Sequence, residues 1–165
     1  MDFGKFRKLL EDSCDLKFIH YHLAIPDKSD NVFLGTKRFL AKIGRFVTLK
    51  KKPIKYTPIA GKVMKKADVD VEITIDVVRN VDDLDVVIVV SGDSDFVELK
   101  NYVVYDKKKG ILFIGYEENM AWELRQCWHL YLNRIKNEVI LRQKNKPRVL
   151  SRGSVAVPWS KGQGK

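Results

Sequence analysis

Two carboxylates, Asp93 and Asp95, stand one residue apart in the stretch Ser91-Gly92-Asp93-Ser94-Asp95-Phe96, directly after the apolar run Val86-Val87-Ile88-Val89-Val90. Carboxylate oxygens that converge are hard ligands suited to Mg²⁺ or Mn²⁺, ions that keep several of their waters in place. An ion held in this way lowers the pKa of a bound water, orients it, and stabilises charge on a phosphorus under attack. One acid alone is explained as a helix cap, because Asp and Ser are good N-caps and a helix N-terminus favours negative charge. Two acids are explained less easily that way. Ser91 and Ser94 flank them and can hydrogen-bond a ligating carboxylate or a phosphate oxygen.

The element that must position this pair is a buried strand feeding a helix. The Val86–Val90 run is too apolar for a surface strand, and Phe96, Leu99 and Val103 follow at helical spacing. Ligands of open α/β sheets bind just beyond the carboxyl ends of strands, which is where Asp93 and Asp95 fall. Lys107-Lys108-Lys109-Gly110 then turns the chain into a strand over Ile111–Gly115, a right-handed crossover. Upstream, Phe3, Phe6, Leu9 and Leu10 mark a short amphipathic helix, and Phe18–Leu23 reads as a strand closed by the turn residues Pro26–Asp30. Phe33–Ile43 gives a second helix stopped at Gly44, and Arg45–Leu49 a second strand. Downstream, Leu124, Cys127, Trp128, Tyr131 and Ile135 recur with helical spacing and predict one long helix from Trp122 to Arg142. Alternating strands and helices predict a three-layer α/β domain over residues 1–142, its mostly parallel sheet built from the segments around Ile19, Val47, Ile88 and Phe113. Val69, Val71, Ile73, Ile75 and Val77 alternate almost perfectly as in a strand, which is what propensity favours, although the same residues also fit a helix buried on two faces.

The chain has 165 residues, of which 45% are hydrophobic, enough for one sizeable core. Its formal charge of +10, with 31 basic against 21 acidic residues, favours a polyanionic partner, nucleic acid before an anionic membrane. Cys14 and Cys127 have no ligand-like spacing, which supports neither a disulfide framework nor a zinc site and fits a reducing compartment. No apolar run reaches the length of a membrane span and no leader pattern opens the chain, which points to the cytoplasm. Residues 143–165 carry Lys144, Lys146, Arg148, Arg152, Lys161 and Lys165 with no acid, and read as a disordered basic tail able to touch RNA. Lys50-Lys51-Lys52-Pro53, Lys55 and Tyr56 form a second basic cluster that could track a phosphate backbone. His20 and His22 would share a strand face; with no third ligand nearby in sequence they read as exposed strand positions.

Two ordered motifs resemble a family. Ser91-Gly92-Asp93-Ser94-Asp95-Phe96 is similar to the S-G-D-x-D-F signature of NYN domains, PIN-like nucleases that include the LabA-like proteins, and Val69-Asp70-Val71-Glu72-Ile73-Thr74-Ile75-Asp76 resembles the family's V-D-x-x-[LI]-x-x-D segment. The resemblance covers roughly Leu16 to Ile135 and implies a Rossmann-like fold with metal-dependent cleavage of RNA. It makes the Val69–Val77 segment a helix, with Asp68 as cap and Asp70 in the first turn. Asp70, Asp93 and Asp95 are then the expected ligands of Mg²⁺ or Mn²⁺, while Asp76, pointing away from Asp70, is a structural acid. Where the family has Lys-Gly before Val-Asp this chain has Ala67-Asp68, with Lys65 and Lys66 close by as candidate substitutes in nucleic-acid binding. The family's Ser and Asp of the last helix are replaced by Met120-Ala121 and Trp128. Members also open with a central strand ending in an Asp ligand, whereas Met1-Asp2-Phe3-Gly4 already starts a helix. The expectation is a sheet without its first central strand: either the true protein begins further upstream, the favoured reading, or the chain is a degenerate or swapped version with a compromised site.

The expected function is a divalent-metal-dependent ribonuclease with RNA as partner, with homo-oligomerisation open. The rivals are a catalytically inactive RNA-binding or regulatory module of the same fold and, less well supported, a phosphohydrolase of small esters, since acidic Rossmann-like sites serve both. No Ser/His/Asp or Cys/His arrangement and no phosphate-cradling glycine loop is present in the sequence.

Overall fold

The computed structural model describes residues 1–59 and 62–140. Asp2 starts the first helix as its N-cap: its Oδ1 accepts hydrogen bonds from the backbone N–H groups of Gly4 at 3.0 Å and Lys5 at 3.2 Å. Helix α1 (Phe3–Ser13) buries Phe6 and Leu10. It is followed by β1 (His20–Ile25), α2 (Phe33–Ile43), β2 (Thr48–Pro53), β3 (Lys55–Ile59), β4 (Lys62–Lys66), α3 (Asp70–Asn80), β5 (Val86–Val89), α4 (Val97–Asn101), β6 (Gly110–Gly115), β7 (His129–Tyr131) and α5 (Lys136–Val139). The fold is mixed α/β with parallel sheets.

The strands do not form one sheet. β1 pairs in parallel with β2, from His20 opposite Thr48 to Ile25 opposite Pro53. β5, β6 and β7 form a separate parallel sheet in that order, and β3 and β4 form an antiparallel hairpin. The second strand lies C-terminal to its expected position, because Val47 joins Leu40 and Ile43 in the core beneath α2 while pairing begins at Thr48.

Period-two alternation divides the β5–β6–β7 residues between two cores. Val87, Val89, Ile111, Phe113 and Tyr131 pack with Phe96, Leu99 and Val103, and Ile73 and Val77 of α3 lie against them. Ile88, Leu112, Ile114 and Leu130 pack on the opposite side with Phe6 and Leu10 of α1. The ambiguous Val69–Val77 pattern is thus a helix, with Ile73 and Val77 inward while Val71, Ile75 and Val78 remain exposed.

The single helix expected over Trp122–Arg142 is not formed. A 3₁₀ turn over Trp122–Gln126 leads into β7, and a four-residue helix follows. The edge of β6 supplies the reason: Phe113 N–H donates to the Trp128 carbonyl at 2.9 Å and Leu132 N–H to the Gly115 carbonyl at 2.8 Å. Pairing there satisfies backbone groups that a helix would leave open at the sheet edge. The helical spacing collects Leu124 and Tyr131 in the core but leaves Trp128 67% exposed, so it marks no single face. The basic tail of residues 143–165, and the end of the predicted domain at 142, lie outside the described residues.

Candidate metal centre

The acidic loop is held by a glycine that no other residue could replace without a shift. After β5 the chain passes through Gly92, where an added Cβ would lie 2.5 Å from the Asn119 carbonyl oxygen and 3.0 Å from Met120 Cα. The Gly92 carbonyl accepts from Ala121 N–H at 2.8 Å, fastening the loop to the segment beyond β6. Asp93 then caps the short turn Ser94–Phe96, its Oδ1 accepting from Asp95 N–H at 3.1 Å. Phe96, with 0% of its surface exposed, plugs the turn into the core. The capping explanation therefore accounts for one oxygen of Asp93 and leaves Asp95 without a structural task in the turn.

Helix α3 brings Asp70 to the same place. Asp70 N–H donates to Asp68 Oδ1 at 3.1 Å, so Asp68 secures the helix start as expected, although Val69 is the formal cap residue. Asp70, Asp93 and Asp95 each offer an oxygen, and these atoms lie within 4.8 Å of one another. Ser91, Gly92, Asp93 and Ser94 form one wall of an open depression whose other wall is Glu118, Asn119, Met120 and Ala121. Ser91 Oγ accepts from Asp93 N–H at 3.2 Å; it thereby shapes the loop itself, while Ser94 is exposed beside it. Glu118 escapes sequence reasoning because it carries no motif spacing; only the return of the chain after β6 puts it across from the acids.

Electrostatics mark Asp70 as the strained member. Burial first, then a hydrogen bond with the Asp68 carboxyl and repulsion from Asp68, Asp93 and Asp95, push its pKa up to about 6. Asp68 moves the opposite way, held low by the Asp70 backbone N–H and by the shared hydrogen bond, with Lys52 and Lys66 contributing. The sign of the linkage follows. A carboxyl raised above its ordinary 3.8 makes the ion-free fold lose stability as pH rises through the window from 3.8 to about 6. Asp70→Asn is therefore expected to raise the ion-free melting temperature at neutral pH and to leave it unchanged well below that window. A cation competes with the proton on Asp70, so Mn²⁺ affinity measured by calorimetry should fall about tenfold per pH unit below about 6 and level off above it.

On the other side of α3, His20 and His22 are not exposed strand positions. Their side chains are 17% and 9% accessible, and both reach one oxygen of Asp76, His20 Nδ1 at 2.5 Å and His22 Nε2 at 2.9 Å. Burial raises the pKa of Asp76, but these hydrogen bonds outweigh it and hold the carboxyl below its ordinary value. Asp76 points away from the acidic loop, as expected of it. The basic cluster is also partly engaged. Lys50 lies 3.7 Å from Asp76, Lys52 is 2.7 Å from Glu72 and Lys65 is 2.5 Å from Asp30. Among the described residues Lys51, Lys55 and Lys66 pair with no acid.

The family model of the NYN domain matches residues 1–133. This chain belongs to the NYN domain family. The two motifs of the NYN domain thus meet in space, S-G-D-x-D-F at the end of β5 and the Asp70 segment at the start of α3. The crystal structure of a protein of unknown function from Vibrio parahaemolyticus RIMD 2210633 is similar, with a TM-score of 0.61, 23% identity, and coverage of 79% of this chain and 76% of that one. At that identity the likeness concerns the fold. No curated protein matches this sequence.

Proposed function

We propose that this NYN domain is a divalent-metal-dependent ribonuclease. The observation carrying the reading is the convergence of Asp70, Asp93 and Asp95 from two separate motifs onto one spot, with Asp70 held at a raised pKa by burial and like charge. Such a set repels itself until a cation neutralises it, and its all-oxygen donors fit Mg²⁺ or Mn²⁺. Bound there, the ion would supply a water of lowered pKa and offset charge on the phosphodiester under attack. The residues of the chain do the rest. Asp70, Asp93 and Asp95 hold the charge, Gly92 and Ser91 fix the loop, and Lys51, Lys55 and Lys66, with Lys50, Lys52 and Lys65 where their acid partners release them, draw the RNA backbone in.

In the same proposal the domain is three-layered, Rossmann-like and PIN-like, with its first central strand missing. Helices on both sides of β5–β6–β7 support the layering, and the lack of pairing between the β1–β2 and β5–β6–β7 sheets supports the missing strand. That same discontinuity favours a second reading, a catalytically inactive RNA-binding or regulatory module. Adding Mn²⁺ and the purified protein to labelled single-stranded RNA and, separately, to a generic phosphate ester discriminates them. Cleavage of RNA alone supports the nuclease, binding without cleavage the inactive module, and ester hydrolysis a phosphohydrolase. A cytoplasmic location is part of the proposal and is supported by the two free cysteines, Cys14 and Cys127, with the oligomeric state open. Among the described residues no helix is long and apolar enough to cross a membrane.

RNA affinity should fall steeply with salt. Deleting the chain after Arg142 is expected to shallow the log–log slope by about 0.7 for each phosphate that the tail neutralises, as measured by filter binding across a salt series. An unchanged slope would remove the tail from RNA binding.

A further inference from the structure

We propose that His20, His22 and Asp76 form a second cation site, of the zinc class, separate from the carboxylate site. His20 and His22 are two residues apart on β1 and so present their rings to one side of the strand. Asp76 meets them from α3, and the three ligand atoms lie within 4.8 Å of one another. Two imidazole nitrogens and one carboxylate oxygen make a donor set that suits Zn²⁺ and neighbouring late first-row ions better than Mg²⁺. Asp70 and Asp76 are six positions apart on the same helix, about 9 Å along its axis and on different faces, so the two sites do not share a ligand.

The site is also built. The Asp76 side chain is 15% exposed, and Lys50 lies 3.7 Å from its Oδ1. Asn80 Nδ2 donates to that same oxygen at 3.2 Å and to the Asp76 carbonyl at 2.7 Å, leaving Oδ2 to face the histidines. Phe18 stacks on the His20 ring at 4.3 Å between centroids and fixes its plane. Outer interactions of this kind orient ligands before an ion arrives. Both imidazoles now direct a nitrogen at the single oxygen Asp76 Oδ2, at 2.5 and 2.9 Å. Ligands around a tetrahedral ion bound at about 2.0 Å stand about 3.3 Å apart, so each of the two His–Asp76 distances has to widen by under about 1 Å for an ion to replace the hydrogen bonds. A groove lined by His22, Lys50, Asp76 and Arg79 gives access from solvent and leaves room for a fourth ligand.

The alternative is a hydrogen-bonded knot that ties β1 to α3 and holds no ion. The test uses the full chain carrying Asp93→Asn, which disables the carboxylate site, and titrates it with Co²⁺ while recording visible absorption, then displaces Co²⁺ with Zn²⁺. The expected result is one equivalent of Co²⁺ with the strong bands of a four-coordinate nitrogen–oxygen site, displaced by one equivalent of Zn²⁺. His20→Gln and His22→Gln keep an N–H able to reach Asp76 and so preserve the knot, yet each removes an imidazole ligand. Each should weaken binding about 100-fold or more, beyond what removing an outer hydrogen bond costs, with an unchanged circular dichroism spectrum. Residues 141–165 contain no His, Cys, Asp or Glu side chain to compete. Absence of the bands in the Asp93→Asn protein, or bands that persist in both glutamine variants, would overturn the proposal.

Discussion

Asp93→Asn is expected to reduce Mn²⁺-dependent cleavage of single-stranded RNA by about 100-fold or more, which corresponds to about 3 kcal/mol of transition-state stabilisation. The fold should survive the change. Asn keeps a side-chain oxygen that can accept from Asp95 N–H, the one structural hydrogen bond that Asp93 Oδ1 makes in the turn. What Asn cannot supply is negative charge beside Asp70 and Asp95. Mn²⁺ should therefore raise the melting temperature of the wild type but not that of the variant. Equal shifts in both would place the ion elsewhere.

Gly92→Ala should be the most damaging change of a single methyl group. Its Cβ would press to within 2.5 Å of the Asn119 carbonyl oxygen, and that atom is backbone, tied in turn to the segment closing the depression. Relief requires the acidic loop or the segment after β6 to move. Overpacking of this kind costs about 2–3 kcal/mol, roughly 5–10 °C in melting temperature for a chain of this size. Activity should fall with it, because the loop that moves carries Asp93 and Asp95. A melting temperature within a degree or so of wild type would show that the close approach relaxes freely.

Legibility from sequence follows the range over which each signal acts. The strand–turn–helix at Val86–Val103 is encoded locally, and β5, the acidic turn and the Phe96, Leu99, Val103 stripe lie where their pattern places them. Segment α3 is ambiguous in sequence because its β-branched residues satisfy two periodicities. Only its tertiary neighbours decide the matter, with Ile73 and Val77 against the β5–β6–β7 core and Asp70 toward the acidic loop. The C-terminal segment misleads for the opposite reason. Its helical spacing is clean, but the hydrogen-bonding edge of β6 outweighs intrinsic preference, and an edge is a property of the fold.

Ion pairs are the least legible layer. His20 and His22 meet an acid 56 and 54 positions away, Lys65 meets one 35 away, and nothing in local spacing reports such partners. A lysine run such as Lys50–Lys52 therefore reads as uniformly available, although its alternate members face α3 and lie near Asp76 and Glu72.

The most direct test of the central claim is anomalous diffraction from a crystal soaked in Mn²⁺, recorded near the manganese edge. The expected result is an anomalous peak enclosed by the carboxylates of Asp70, Asp93 and Asp95, and the disappearance of that peak in crystals of Asp93→Asn. A wild-type crystal saturated with Mn²⁺ that shows no density among those three side chains would contradict it.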